Sequence, residues 1–124
     1  MIVLDMFDKR PIYEQVVSAY QKQIAMGILV TDEKIPSVRQ LAMEMSINPN
    51  TIQKAYAELE RSGYIYSVKG KGNFVADISS MAPERQREFF MELDELLSQS
   101  QDVSLSDDSV IAHVNEFYAG RNNK

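Results

Sequence analysis

A run of polar side chains, Asn50, Thr51, Gln53 and Lys54, follows Pro49 where the sequence predicts the first turns of a short helix. The amides of asparagine and glutamine each carry a donor and an acceptor, which match the two groups that adenine presents in the major groove. A threonine methyl can contact a thymine methyl, and a lysine suits a phosphate or a guanine. If one helix face presents these groups together, they could read base edges.

Two short helices separated by a tight break would position this run. Ser37 begins the first helix in a capping-box pattern, in which the side chains of Ser37 and Gln40 each satisfy a backbone N–H. Asn48 caps the second helix, Pro49 occupies its first position, and Gly63 ends it. A helix N-terminus also favours a phosphate, so Ser37 and Arg39 are predicted to reach a nucleic-acid backbone.

A longer helix is predicted before this pair, over residues 11–26, with Pro11 at its first position and Gly27 as its stop. Its apolar side chains recur at three- and four-residue steps, which predicts one buried face. These residues are Ile12, Tyr13, Val16, Val17, Tyr20 and Ile24. Residues 27–36 form a connector, from which Ile28, Leu29 and Ile35 are expected to point inward.

Two strand-like runs, residues 64–68 and 73–76, follow the helices and flank a turn that contains two glycines. Glycine tolerates the positive φ of tight turns and lets the backbone approach a ligand closely. The turn residues predicted to follow phosphates or enter a minor groove are Lys69, Gly70, Lys71 and Gly72. Three helices followed by a hairpin predict a winged helix-turn-helix over residues 1–77.

Residues 78–124, the tail, are predicted to form two amphipathic helices joined by a polar loop over residues 98–106. Two such helices cannot bury their apolar faces alone, so they need either the main domain or a second copy of the chain, and in the second case they form a dimer contact. The residues predicted to form this dimer contact are Phe89, Phe90, Leu93, Leu96, Leu97, Val110, Ile111, Val114, Phe117 and Tyr118. The predicted fold is therefore mainly α with a small β-hairpin, a winged helix-turn-helix followed by two dimerisation helices.

The formal net charge of −5 lies entirely in the tail, because residues 1–77 contain nine basic and nine acidic side chains. A local basic surface, not the global charge, is what phosphates meet. The chain has no cysteine, one histidine and no catalytic constellation, so neither an enzyme nor a metal site is expected, and no cofactor is predicted. No apolar run is long enough to span a membrane and no signal peptide is visible, so a cytoplasmic location is expected.

Several ordered motifs resemble the GntR family of bacterial regulators, namely residues 36–42, 48–56, 59–60, 63–65 and 70–75. Residues 11–15 and the short tail resemble its YtrA subfamily. The resemblance implies a homodimer that binds a palindromic DNA operator, and repression of a neighbouring transporter operon. It places the DNA contacts on Ser37, Arg39, Asn50, Thr51, Gln53, Lys54 and residues 69–72.

Two alternatives stay open at the level of sequence. A winged helix that binds another protein and has lost DNA binding is the competing function, although it would need no polar and basic array. A small-molecule effector is not indicated, since the tail is too short for a separate effector domain. Tyr20 and the tail aromatics Phe89, Phe90, Phe117 and Tyr118 could line a cavity, but plain dimer packing is favoured.

Overall fold

The computed structural model describes residues 2–5 and 7–122. The chain divides into two compact units, Met1–Ser80 and Met81–Lys124, here called the N-terminal and C-terminal units. The predicted division of labour, DNA binding by residues 1–77 and dimerisation by residues 78–124, stays a prediction. The outer limits of those segments, residues 1 and 124, lie outside the described residues.

Three helices form the body of the N-terminal unit: α1 (Ile12–Ala25), α2 (Val38–Met45) and α3 (Pro49–Arg61). Gly27 has a φ of +75°, so it ends α1 as predicted. Pro11 precedes the first helical residue and does not occupy it, which corrects the predicted start of α1. Ser46, with a φ of 55°, makes the left-handed break that turns the chain between α2 and α3.

The sheet has three antiparallel strands: β1 (Lys34–Ile35), β2 (Ile65–Val68) and β3 (Gly72–Val75), in the order β1-β3-β2. The hairpin of β2 and β3 was predicted, whereas β1 was expected to be part of a connector. A strand of two residues is too short to show an alternation of polar and apolar residues, so no sequence pattern predicts β1. Here the hairpin with its turn, residues 65–75, is called the wing.

The core of the N-terminal unit lies where α1, α2, α3 and the sheet meet. Its fully buried side chains come from every one of these elements, as the helical and strand periods predict. They include Val16, Leu41, Ile52, Leu59 and Val75. Ile12 and Ile28 were predicted wrongly: both are exposed, since Ile12 lies in the first turn of α1 and Ile28 follows its C-terminal glycine.

The C-terminal unit contains α4 (Ala82–Ser98) and α5 (Asp107–Asn122), and short 3₁₀ turns precede and follow α4. The second turn, Ser100–Val103, lies in the segment predicted to be an irregular polar loop. The predicted fold class, mainly α with a small β element and two C-terminal helices, is confirmed. Among the described residues, no helix combines the length and apolar character that crossing a membrane would require.

Candidate nucleic-acid interface

The N-terminal half of α3 presents a polar face. Asn50, Gln53 and Lys54 are exposed, whereas Ile52 and Ala55 on the other side of the helix are buried. At about 100° per residue, the three polar positions share an arc of about 100°. Thr51 is only half-exposed and lies at the edge of this face. The structure therefore brings Asn50, Gln53 and Lys54 together on one side of α3.

Asn48 has a local structural role at the start of α3. Its Oδ1 accepts a hydrogen bond of 2.8 Å from the backbone N–H of Asn50, as the predicted helix cap requires. Pro49 follows in the first turn and is exposed. Only the backbone N–H of Asn50 takes part in this cap, so the side-chain amide of Asn50 is left for a ligand.

Lys54 has an intramolecular partner that the sequence did not reveal. Its Nζ lies 3.9 Å from the centre of the Tyr13 ring, a cation–π contact between α3 and α1. Tyr13 was predicted to belong to the core, yet it is half-exposed. The contact holds the ammonium of Lys54 at the α1 side of the polar face. Its predicted role toward DNA stays a prediction.

The start of α2 is held by its cap. The Oγ of Ser37 accepts a hydrogen bond of 3.0 Å from the backbone N–H of Gln40, as predicted. The reciprocal half of the capping box was predicted wrongly, because the Gln40 side chain instead donates to Glu44 Oε1 at 3.2 Å, one turn further along α2. Arg39 is exposed and has no ion pair among the described residues, so its guanidinium is available to a phosphate.

Two buried tyrosines connect the helices to the residue that precedes Ser37. Tyr56 donates a hydrogen bond of 2.7 Å to the carbonyl of Pro36, and its hydroxyl lies 3.2 Å from that of Tyr20. Burial raises the pKa of both hydroxyls, so they stay neutral. Sequence periodicity placed both rings in the core but could not reveal where their hydroxyls bond. This arrangement leaves Tyr20 3% exposed inside the N-terminal unit, and its suggested place in an effector cavity stays a prediction.

The tip of the wing is a glycine turn. The backbone N–H of Lys71 donates a hydrogen bond of 2.9 Å to the carbonyl of Val68, and Gly70 adopts a φ of +78° that suits glycine. Lys69, Gly70 and Lys71 are exposed, and Gly72 is half-exposed. The predicted wing residues are therefore presented to solvent at the tip of the β2–β3 hairpin.

The base of the wing is fixed by aromatic and polar contacts. The rings of Tyr66 and Phe74 stack across β2 and β3 with centroids 5.6 Å apart. The hydroxyl of Tyr66 donates to Asp32 Oδ1 at 2.6 Å, and this bond raises the pKa of the tyrosine. Ser67 donates to Glu60 Oε1 at 2.8 Å and so ties β2 to α3. The wing and α3 are thus parts of one packed unit.

Two acidic groups of the N-terminal unit pair with neighbouring arginines. Asp8 forms an ion pair with Arg10, with 2.7 Å between Oδ2 of Asp8 and Nη2 of Arg10, and hydrogen bonds from Arg10 hold the pKa of Asp8 below its usual range. Glu58 pairs in the same way with Arg61, which lowers the pKa of Glu58. Lys69 and Lys71, in contrast, form no ion pair within the described part of the chain.

The C-terminal unit leaves its apolar side chains exposed. No residue of α4 is buried, and Phe89, Leu96 and Phe117 are 57%, 64% and 64% exposed. A mainly apolar groove of about 420 Å³ lies between α4 and α5, lined by Leu93, Val110 and Val114 among others. All ten predicted dimerisation residues are at least partly exposed, which leaves them available to a partner. Around His113, as elsewhere in the described residues, no cluster of metal ligands occurs.

Comparison with known proteins places this site in a family. Residues 12–75 match the family model described as bacterial regulatory proteins, gntR family. Over 77 residues, 62% of this chain, the sequence is 42% identical to the HTH-type transcriptional repressor YtrA of Bacillus subtilis strain 168, and it spans 59% of that protein's length. It is 30% identical to the uncharacterized HTH-type transcriptional regulator YhcF of the same organism, over 90% of this chain and 93% of YhcF.

Solved structures show the same architecture. A transcriptional antiterminator from Listeria monocytogenes EGD-e superimposes with a TM-score of 0.77 at 33% identity, covering 95% of this chain and 90% of that one. The DBD of AraR in complex with operator ORE1 superimposes with a TM-score of 0.52 at 34% identity, covering 61% of this chain and 93% of that one. The matched family model covers the helices and the wing that carry the site described above, and the chain belongs to the GntR family of bacterial regulatory proteins.

Proposed function

We propose that the chain is a repressor that binds a palindromic DNA operator as a homodimer. In this proposal the N-terminal turns of α3 lie in the major groove, where Asn50 and Gln53 read base edges. Thr51 contacts a thymine methyl at the edge of the same face, and Pro49 starts the helix against the groove. Lys54 adds a positive charge to this face.

The observation that carries the proposal is the face of α3. Asn50 and Gln53 are exposed, and neither side chain has a hydrogen-bond partner in the described part of the protein. Exposed planar amides with free donors and acceptors match the adenine edge in the major groove. A surface that served only for solubility would need no such pair in the first turns of a capped helix.

Phosphate contacts would come from the two flanks of this face. Ser37 and Arg39 lie at the start of α2, where the helix dipole and free backbone N–H groups favour an anion. Lys69 and Lys71 lie beside Gly70 and Gly72 in the wing, whose bare backbone admits a phosphate or a minor-groove edge. These groups hold the domain in register, and α3 supplies the sequence preference.

The relatives support DNA binding and repression. YtrA of Bacillus subtilis is a transcriptional repressor by name, and the DBD of AraR was solved with an operator. The region matched to AraR covers 61% of this chain, so that comparison supports the DNA-binding part alone. Control of a neighbouring transporter operon is the finer prediction, and it depends on kinship with the YtrA subfamily.

The homodimer is inferred from the open apolar faces of α4 and α5. Burial of a side chain such as Phe89 or Leu96 stabilises an association by about 1.5–3 kcal/mol, and these side chains are exposed in a single copy. A two-fold dimer presents two copies of α3, so the half-sites should lie about 34 Å apart, one turn of B-DNA. The operator should therefore be an inverted repeat.

Selection of duplexes from a random pool, followed by sequencing, tests this function. We expect an inverted repeat, bound at two chains per duplex, and a gel shift in which random duplex of the same length competes poorly. The variant Asn50→Ala/Gln53→Ala should lose the preference but keep its helical circular dichroism spectrum. Equal binding of selected and random duplexes, or no binding, would instead favour the protein-interaction module.

A further inference from the structure

Lys34 occupies a position beside the wing that the sequence did not single out. It lies in β1, opposite Phe74 of β3 in the antiparallel register. Its neighbour Ile35 is 2% exposed and points into the core, so the alternation of the strand puts Lys34 on the outer face of the sheet. Lys34 is accordingly exposed to solvent.

The side chain of Lys34 extends across Gly72. A methyl group built on Gly72 would lie 3.0 Å from Cε of Lys34 and 3.8 Å from its Nζ. Gly72 is two residues from Phe74 on β3, so it is the diagonal neighbour of Lys34, a spacing that long side chains can bridge. Because Gly72 has no side chain, the lysine stem runs along the backbone and its ammonium lies at the glycine turn.

The acidic neighbours of Lys34 in the part of the chain that the structure describes form no ion pair with it. Asp32 accepts its hydrogen bond from Tyr66, and Glu33 Oε1 accepts from the backbone N–H of Val30 at 3.3 Å. The side chain of Lys34 has no ion pair or hydrogen bond within the described ranges. A free ammonium therefore lies beside a bare glycine backbone, at the base of a turn that carries two more lysines.

We propose that Lys34 binds a phosphate of the DNA backbone, as a third cation beside Lys69 and Lys71 of the wing, with its stem guided by Gly72. A lysine ammonium is a compact point charge that suits a phosphate oxygen, whereas base reading favours planar groups with two bonds. The contact positions the wing on the duplex and carries no base preference. This inference rests on the proposed DNA binding and adds a residue to it.

The salt dependence of binding tests the contact. The protein is measured as the full chain, by fluorescence anisotropy on a selected duplex, between 50 and 200 mM KCl. Each lost phosphate contact lowers the slope of log Kd against log salt by about 0.9, which is about a 3.5-fold change over this range per subunit. Lys34→Gln should show this change, and Lys34→Arg should restore the wild-type slope.

Lys22→Gln is the matched control, since Lys22 is an exposed lysine in the last turn of α1 and loses the same charge away from the wing. If Lys34→Gln and Lys22→Gln give the same slope, the inference is wrong. A changed base preference in Lys34→Gln would also overturn it, because it would indicate a base contact. If wild-type protein fails to prefer the selected duplex, the proposed function itself fails, and this is seen before any variant is compared.

A duplex series with single neutral methylphosphonates then locates the phosphate. One position should weaken wild-type binding several-fold yet leave Lys34→Gln unaffected, because charge and phosphate form one pair. Additive losses at every position of the series would contradict the assignment.

Discussion

Removal of the Tyr56 hydroxyl should destabilise the N-terminal unit more than removal of the Tyr20 hydroxyl. Tyr56 is 3% exposed. Its hydroxyl donates a hydrogen bond of 2.7 Å to the carbonyl of Pro36 and lies 3.2 Å from the hydroxyl of Tyr20. Tyr56→Phe therefore leaves two groups, the Pro36 carbonyl and the Tyr20 hydroxyl, without their hydrogen-bond partner. Tyr20→Phe takes only one bond, because Tyr56 can still donate to Pro36.

The magnitudes follow from the number of groups left without a partner. A buried polar group that loses its partner costs about 1–3 kcal/mol, so Tyr56→Phe should lower the free energy of unfolding by about 2–3 kcal/mol. Tyr20→Phe should lower it by about 1 kcal/mol. The double variant should cost less than the sum of the two, since the Tyr20 hydroxyl that Tyr56→Phe would leave unpaired is then absent.

Urea unfolding followed by circular dichroism measures these differences, at one protein concentration because the chain is proposed to dimerise. With a slope of about 1–3 kcal/mol per M urea, a loss of 2 kcal/mol moves the midpoint by about 1 M. Because the Pro36 carbonyl precedes Ser37, Tyr56→Phe should also weaken operator binding. Equal midpoints for the two single variants would refute the reasoning.

Three further substitutions test the interface and the tail. Gln53→Ala should cost about 1–3 kcal/mol at particular base pairs and broaden the selected sequence there, whereas a uniform loss across all duplexes would contradict base reading. Arg39→Ala should weaken binding to every duplex and lower the salt slope by about 0.9 per subunit; an unchanged slope would exclude a phosphate contact. Leu96→Asp should give monomers in light scattering and poor operator affinity. The control variant Met43→Asp, which changes an exposed apolar residue of the N-terminal unit, should stay dimeric. A dimeric Leu96→Asp variant would place the dimer contact elsewhere.

Local signals in the sequence predicted most of the fold. The caps at Ser37 and Asn48, the glycine stops at Gly27 and Gly63, and the glycine turn of the wing depend on neighbouring residues alone. Such features can be predicted because each satisfies backbone groups or a positive φ within a few positions. For the same reason the helix limits were predicted within one or two residues.

The parts that sequence reasoning missed all depend on contacts between distant segments. The strand β1 exists only because Lys34 and Ile35 pair with residues that lie about forty positions later in the chain. The cation–π contact of Lys54 with Tyr13 and the bond of Tyr56 to Pro36 also join separate elements. A helical period shows which face of α3 is buried, but it cannot show what its edge residues meet.

The charge of the N-terminal unit shows why a count of residues misleads. Residues 1–77 contain equal numbers of acidic and basic side chains, which by itself argues neither for nor against a polyanionic partner. In the structure, the acidic and the basic side chains differ in whether they have partners within the protein. Asp8 and Glu58 accept ion pairs, and Asp32 and Glu60 accept hydrogen bonds from tyrosine and serine.

The basic side chains of the proposed interface are engaged differently. None of its cations forms an ion pair within the described residues: Lys34, Arg39, Lys54, Lys69 and Lys71. A phosphate that approached them would displace no internal carboxylate, so DNA binding would not have to break existing ion pairs. These unpaired cations, and not the net charge of −5, are what a phosphate would meet at the wing and at α3. An acidic chain can therefore present a surface suited to DNA, provided that unpaired cations lie together on it.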